Sequence, residues 1–276
     1  MTPPSAISEQ PSVPSDLDAA IDEAWARVRV APGYLTEREA RFLALAAACS
    51  PAQGVILEIG SFKGKSTVGL ASVASRYGLG TVVAVDPHTA PSVTDPDLRG
   101  QTSSWDDFRA TLRAAGLEDA VEAHRDFSRD VARGWDRPIR FLWIDGDHTY
   151  RGAKEDIDLF RGHLADGAIV AFHDVLHTFE GPVRVFVEEV LASDEFGPAG
   201  MCGSIGWAQY RPHDGGRAKW RNARRGLARR ASRLIPLVKK GRELRGFDKL
   251  RYKIWRALVP HSAVVPEQWV QMVRSS

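Results

Sequence analysis

Five residues in the second half of the chain pose the chemical question. Asp145, Asp147 and His148 close the run Ile144-Asp145-Gly146-Asp147-His148, and His173-Asp174 close a second apolar run. If those runs are neighbouring strands, their ends lie about 5 Å apart, and three carboxylates and two imidazoles meet at one spot. Carboxylates that close repel unless a proton or a cation stands between them. A divalent metal held by Asp145 and Asp174 resolves the conflict, and hard oxygen ligands favour Mg2+ or Mn2+. His173 is a candidate third ligand, although imidazole suits Mg2+ less well. The competing reading leaves Asp147 and Asp174 as helix caps. A metal in such a place lowers the pKa of a coordinated hydroxyl, and an imidazole can then take the proton. His148 follows Asp145 closely enough to reach over the site as that base without being a ligand. An alcohol, weakly acidic and poorly nucleophilic, needs this apparatus; an amine does not.

A second constellation lies earlier, in Glu58-Ile59-Gly60-Ser61-Phe62-Lys63-Gly64 followed by Lys65-Ser66-Thr67. Glycines there permit a tight turn and close approach by a ligand at a helix N-terminus. Three readings compete. A nucleotide phosphate loop wants four residues between its glycines before Lys-Ser, and Gly60 and Gly64 enclose three. A dinucleotide turn wants a middle glycine where Phe62 stands. S-adenosylmethionine holds no phosphate and fits an acidic residue inside the strand. On that reading Glu58 serves the cationic end of the cofactor, Gly60, Ser61, Gly64 and Ser66 frame it, and Asp86 accepts the ribose hydroxyls. Asp126 meets the adenine amino group, or else caps a helix.

The elements that must position these residues alternate. Asp16–Val28 and Thr36–Cys49 have helical spacing, the second opening on a T-E-R-E capping box, Thr36 with Glu39. Strands are read at Val55–Gly60, Thr81–Asp86, Val121–Ala123, Phe141–Asp145, Ile169–Phe172 and Ser204–Tyr210. Helices are read at Ser66–Arg76, Trp105–Ala115, Ser128–Gly134, Gly152–Leu164 and Phe186–Ala192. Strands this apolar are buried on both faces, which means an α/β, mostly parallel, doubly wound sheet with its ligands beyond the carboxyl ends of the strands. The segments 88–105 and 176–183 fall where an acceptor would sit and carry no readable code.

Composition narrows the class. No apolar run approaches the roughly 20 residues of a membrane span. Residues 1–15 are proline-rich without an apolar core and read as a disordered leader. Cys49 and Cys202 form no disulfide framework, and a cytoplasmic setting fits. Charge divides the chain: residues 1–210 hold 19 Lys and Arg against 31 Asp and Glu, and residues 211–276 hold 18 against 4. The expected organisation is a catalytic domain over 16–212, including N-terminal helices at 16–50, and a basic helical extension over 213–276.

Four stretches together resemble a known family: E-I-G-S-F-K-G-K-S-T (58–67), V-D-P-H (85–88), I-D-G-D-H-T-Y-R-G-A-K-E-D (144–156) and A-F-H-D-V (171–175). They are similar to the class I S-adenosylmethionine-dependent methyltransferases of the Methyltransf_24 kind, whose relatives include metal-dependent sugar O-methyltransferases, rhamnosyl O-methyltransferases and the so-called cephalosporin hydroxylases. The resemblance spans roughly residues 34–212. It implies a seven-stranded Rossmann-like sheet, with Asp145 as metal ligand, His148 as general base and Asp174 as a further ligand. His173 stands where the family has Glu. The implied activity is O-methylation of a sugar, glycolipid or glycosylated metabolite. A catechol-type small-molecule O-methyltransferase and a non-catalytic binding protein are the alternatives.

The family does not account for the basic extension. Trp220, Ala223, Leu227, Ala231 and Leu234 fall at helical spacing among Arg and Lys, and Phe247, Leu250, Ile254 and Leu258 repeat the pattern. Such helices over 217–258 suit an anionic membrane surface or a lipid-linked substrate, at the inner face of the membrane. The rival reading packs them on the acidic body or in a homo-oligomer; no nucleic-acid module is seen.

Overall fold

A computed structural model describes residues 13–89, 102–239 and 243–275. Most of the expected leader and much of the 88–105 segment lie outside the described residues. The chain opens with α1 (Leu17–Val28) and α2 (Glu37–Cys49). The capping box is formed: Thr36 Oγ1 accepts the Glu39 N–H at 3.4 Å and Glu39 Oε2 accepts the Thr36 N–H at 3.1 Å.

Strands and helices then alternate through β1 (Val55–Ile59), α3 (Lys65–Tyr77), β2 (Val82–Val85), α4 (Trp105–Ala115), β3 (Val121–His124), α5 (Ser128–Ala132), β4 (Ile139–Ile144), α6 (Tyr150–Arg161), β5 (Leu164–Phe172) and α7 (Glu180–Val185). A π-helical turn, Phe186–Leu191, continues α7, and β6 (Phe196–Cys202) and β7 (Ile205–Tyr210) complete one sheet. Its order is β3-β2-β1-β4-β5-β7-β6. The first five strands are parallel, and β7 runs antiparallel between β5 and β6. This is the doubly wound, mostly parallel, seven-stranded architecture the sequence implied. β6 carries Gly197, Pro198 and Gly200, which disguise it as a loop; it lies at the sheet edge, where proline is tolerated.

Alternate residues of each strand feed two cores. Leu57, Leu142, Ile144, Val170 and Phe172 pack with Ala153, Ile157 and Phe160 of α6. Ile56, Phe141, Trp143, Ile169 and Ala171 pack with Phe42 of α2 and Val68 of α3. The same period of two governs the residues that follow each strand. Residue 173 therefore continues the face of Ile169 and Ala171, toward α2.

The basic extension is helical: α8 (Ala218–Ala231), α9 (Ile235–Val238), α10 (Gly246–Ala257) and α11 (Pro266–Arg274). Much of it is fastened to the sheet. Leu227, Ala231 and Leu234 join the α6-side core. The buried Arg224 guanidinium donates to the carbonyls of Phe196, Gly197 (3.2 Å), Gly215 (2.8 Å) and Leu191 (3.3 Å). Trp269 of α11 packs against Phe42 and Trp207, ring centroids 5.9 and 5.4 Å apart. Among the described residues no helix is long and apolar enough to cross a membrane.

Candidate active site

The loop after β1 is shaped by contacts that exclude side chains. A Cβ on Gly60 (φ +88°) would stand 2.2 Å from the carbonyl oxygen of Asp145, so only glycine lets this loop lie on the end of β4. Phe62 is left-handed without being glycine (φ 45°), and Asp86 holds it there: Asp86 Oδ2 accepts the Phe62 N–H at 2.8 Å. The other oxygen, Oδ1, accepts the His88 N–H at 2.7 Å, and His88 is also left-handed (φ 50°). Each oxygen retains a lone pair for a further donor. Ser61 Oγ is buried with no hydrogen-bond partner in the described structure, a vacancy in satisfaction that a polar ligand group would fill.

Two expectations for this loop need correcting. Glu58 does not face an open crevice: it is fully buried, Oε1 accepting from Ser66 Oγ and Oε2 from Thr67 Oγ1, each at 2.5 Å. Burial lifts its carboxyl to about 8, against the lowering effect of those hydroxyls. Glu58 and Ser66 thus tie β1 to the first turn of α3, because residue 58 shares the inward face of Ile56. Gly64 (φ +87°) packs toward Phe108 and serves as the N-cap of α3. Lys65 Nζ donates to the Ala31 carbonyl at 2.7 Å, turned away from where a phosphate loop would need it. Asp126 is exposed just beyond β3, and α5 begins without a side-chain cap, so the capping alternative for Asp126 falls away.

The strand ends of β4 and β5 carry the second cluster. Asp145, His148 and Asp174 present ligand atoms that all lie within 4.8 Å of one another. His148 Nε2 stands 3.3 Å from Asp174 Oδ2 and 3.7 Å from Asp145 Oδ1, yet makes a well-formed hydrogen bond to neither. Burial disfavours its charged form, and the two carboxylates overcome that and hold its pKa at about 9. Asp174 is left-handed (φ 56°), a costly conformation for a non-glycine residue that turns the chain at the end of β5. Gly60 abuts this cluster through Asp145, so the two constellations adjoin at the carboxyl ends of β1, β4 and β5.

His173, expected as a ligand, is not in that group. Strand alternation sends it toward α2, where it is buried beside Trp143. Its Nδ1 lies 3.1 Å from Asp145 Oδ1, and its Nε2 lies 3.9 Å from Glu39 Oε2. Against the opposing effect of burial, Asp145, Glu39 and Asp174 raise its pKa well above the usual imidazole value. Asp145 is held below the ordinary carboxylate range, its burial outweighed by His173 and His148. Asp147 is a local brace, accepting the Thr149 N–H at 2.8 Å ahead of α6, whose cap is Thr149.

Sequence reasoning missed three participants. Glu39 was legible only as a cap, yet its Oε1 also accepts from Ser204 N and Oγ at 2.7 and 2.6 Å. Phe179 stacks on His148, centroids 4.3 Å apart and planes within 15°, and His177 stacks on Phe179 at 4.9 Å.

With this geometry in view, comparison decides the class. Residues 57–175 match the family model described as a methyltransferase domain, a span running from inside β1 through the turn after β5. Over these residues the chain carries a methyltransferase domain. The domain's fold recurs in the O-methyltransferase from Bacillus cereus in complex with SAH, 20% identical over 73% of this chain and 93% of that one, with a TM-score of 0.50. It recurs in TomG from Streptomyces achromogenes, an O-methyltransferase of tomaymycin synthesis in complex with SAM (19%, 74% and 93%, TM-score 0.51). The O-methyltransferase NovP is a third (15%, 71% and 98%, TM-score 0.54). At these identities the likeness to this methyltransferase is one of fold.

Proposed function

We propose that this methyltransferase methylates a hydroxyl oxygen of a sugar-bearing acceptor, with a divalent cation held by Asp145 and Asp174 and with His148 beside it as the base. One observation carries the reading: two carboxylates and an imidazole nitrogen without a hydrogen bond converge within 4.8 Å beside the Gly60 loop. Hard oxygen donors on a partly exposed ledge suit Mg2+ or Mn2+. When bound, S-adenosylmethionine supplies an electrophilic methyl carbon, and the cation supplies positive charge that favours the deprotonated acceptor.

The remaining roles belong to the chain. Asp86, pinned by two amides, presents its spare lone pairs to the ribose hydroxyls. Asp126 is free of a capping duty and available to the adenine amino group, and Ser61 Oγ gains a partner. His148 accepts the acceptor's proton at Nε2; neutralising Asp145 and Asp174 removes what holds its pKa near 9 and leaves the imidazole able to act as a base near neutral pH. His173 orients Asp145 from behind, as outer hydrogen-bonding partners of ligands do. The stack of His148, Phe179 and His177 borders the carboxylates on the side from which the acceptor would come.

The test is transfer of labelled methyl from S-adenosylmethionine to a panel of glycosides, nucleotide sugars, catechols and amines, with the linkage assigned by mass spectrometry and NMR. Methyl ethers on sugar hydroxyls are expected. Methylation confined to catechols would reject the sugar assignment, and N-methyl products would reject the oxygen chemistry.

A further inference from the structure

The two halves of the basic extension behave differently, and the difference points to a partner. In α8 the apolar positions Leu227 and Ala231 are buried on the body. In α10 the apolar row faces outward: Phe247, Leu250 and Ile254, with Leu258 just beyond, are 73%, 53%, 49% and 52% exposed. These residues recur at helical spacing and form one stripe along the helix. The opposite side is anchored. Tyr252 is buried, its Oη donating to the Leu176 carbonyl at 2.8 Å, and Arg256 Nε donates to the same oxygen at 3.0 Å. Packing on the body therefore explains α8 and the inner side of α10, but not the stripe.

The same helix carries exposed cations. Lys249, Arg251 and Lys253 are exposed and form no ion pair among the described residues, and Arg233 of the adjoining segment lies over the Trp255 ring at 4.5 Å. We infer that α10 is a peripheral membrane contact: its apolar stripe enters the interfacial region of an anionic bilayer while Lys249, Arg251 and Lys253 meet the lipid phosphates. A second copy of this chain fits less well, because a symmetric contact through the stripe would bring the same cations against each other. A nucleic acid would use the cations but leave the apolar row in water. Leu176, which receives both anchoring bonds, is two residues from Asp174, so the contact holds the crevice at the lipid surface. Membrane binding is read without turnover, so its failure is separate from failure of the acceptor assignment.

The full chain should sediment with phosphatidylcholine vesicles containing phosphatidylglycerol and remain in the supernatant with phosphatidylcholine alone. Raising salt should release it, since attraction is screened within about a Debye length, roughly 10 Å at 0.1 M. The double variant Leu250→Ser/Ile254→Ser replaces exposed side chains only, so its circular dichroism and cofactor affinity should match the parent. Its vesicle affinity should fall at least roughly tenfold. Lys249→Glu/Lys253→Glu should abolish the preference for anionic lipid. The inference is overturned if the parent ignores anionic vesicles, or if the folded serine variant binds them undiminished. It is also overturned if light scattering finds a parent dimer that the serine variant converts to monomer without loss of vesicle binding.

Discussion

His148 and Phe179 lie ring on ring, 4.3 Å between centroids and 15° between planes. The stack fixes the direction of the imidazole, whose Nε2 would otherwise be free to swing off the carboxylates. Phe179→Ala should lower kcat roughly ten- to a hundredfold, the scale of loss when a reacting group is misplaced. Cofactor affinity by calorimetry should be unchanged, because Phe179 belongs to the acceptor side. Equal losses in both would mean that Phe179 supports the fold instead.

Asp86 holds two left-handed residues through one carboxylate, and on the present reading also holds the ribose. Asp86→Ala should weaken S-adenosylmethionine about ten- to a hundredfold, equivalent to about 1.5–3 kcal/mol for a charge-assisted hydrogen bond. Asp86→Asn should fall between. Titration calorimetry on all three proteins checks the series, and unchanged affinity for the alanine variant would remove Asp86 from the cofactor site.

Chelation should abolish turnover, with Mg2+ or Mn2+ restoring it, and Asp174→Asn should resist restoration. The imidazole gives an independent signal. In ion-free protein His148 should titrate near pH 9 by proton NMR, and saturating Mg2+ should move it toward the ordinary value of about 6.5. Full activity in excess chelator, with no movement of that titration, would remove the cation and leave His148 a base without one.

Glu58 makes the fold sensitive to alkali. Its folded pKa, about 8, lies above the ordinary value of 4.5. Folding therefore favours the protonated form, and the associated stability is complete below pH 4.5 and lost as pH rises through 8. Thermal melting of the ion-free protein should drop between pH 4.5 and about 8, the window set by these values. Glu58→Gln should flatten that fall. A parent melting point independent of pH across the interval would refute the buried-acid account.

The sheet was readable because strands buried on both faces are written as uninterrupted apolar runs, and because Glu58, Asp86, Asp145 and Asp174 are carboxylates at the ends of such runs. What escaped depends on partners distant in sequence. Alternation puts His173 on the face of Ile169 and Ala171, but that α2 covers this face is a tertiary fact that no local pattern encodes. Glu39 forms the capping box its neighbours announce, but its other oxygen meets Ser204, 165 positions away. Nothing local in the sequence shows that the hydroxyls of Ser66 and Thr67 turn back to Glu58. β6 was hidden by its own proline. The outward stripe of α10 and the inward one of α8 have the same spacing, and only packing separates them.

The position of Trp269 bears on how the molecule comes into being. Phe42 and Trp207 are synthesised long before the tryptophan that covers them. On a ribosome, the α2 side of the sheet stays incompletely clad until α11 has left the exit tunnel, and during that interval it offers aromatic surface to chaperones or to other nascent chains. Completion of this part of the core thereby waits for α11, and a transcript cut short before α11 would yield a protein with its crevice residues present and the rings of Phe42 and Trp207 uncovered.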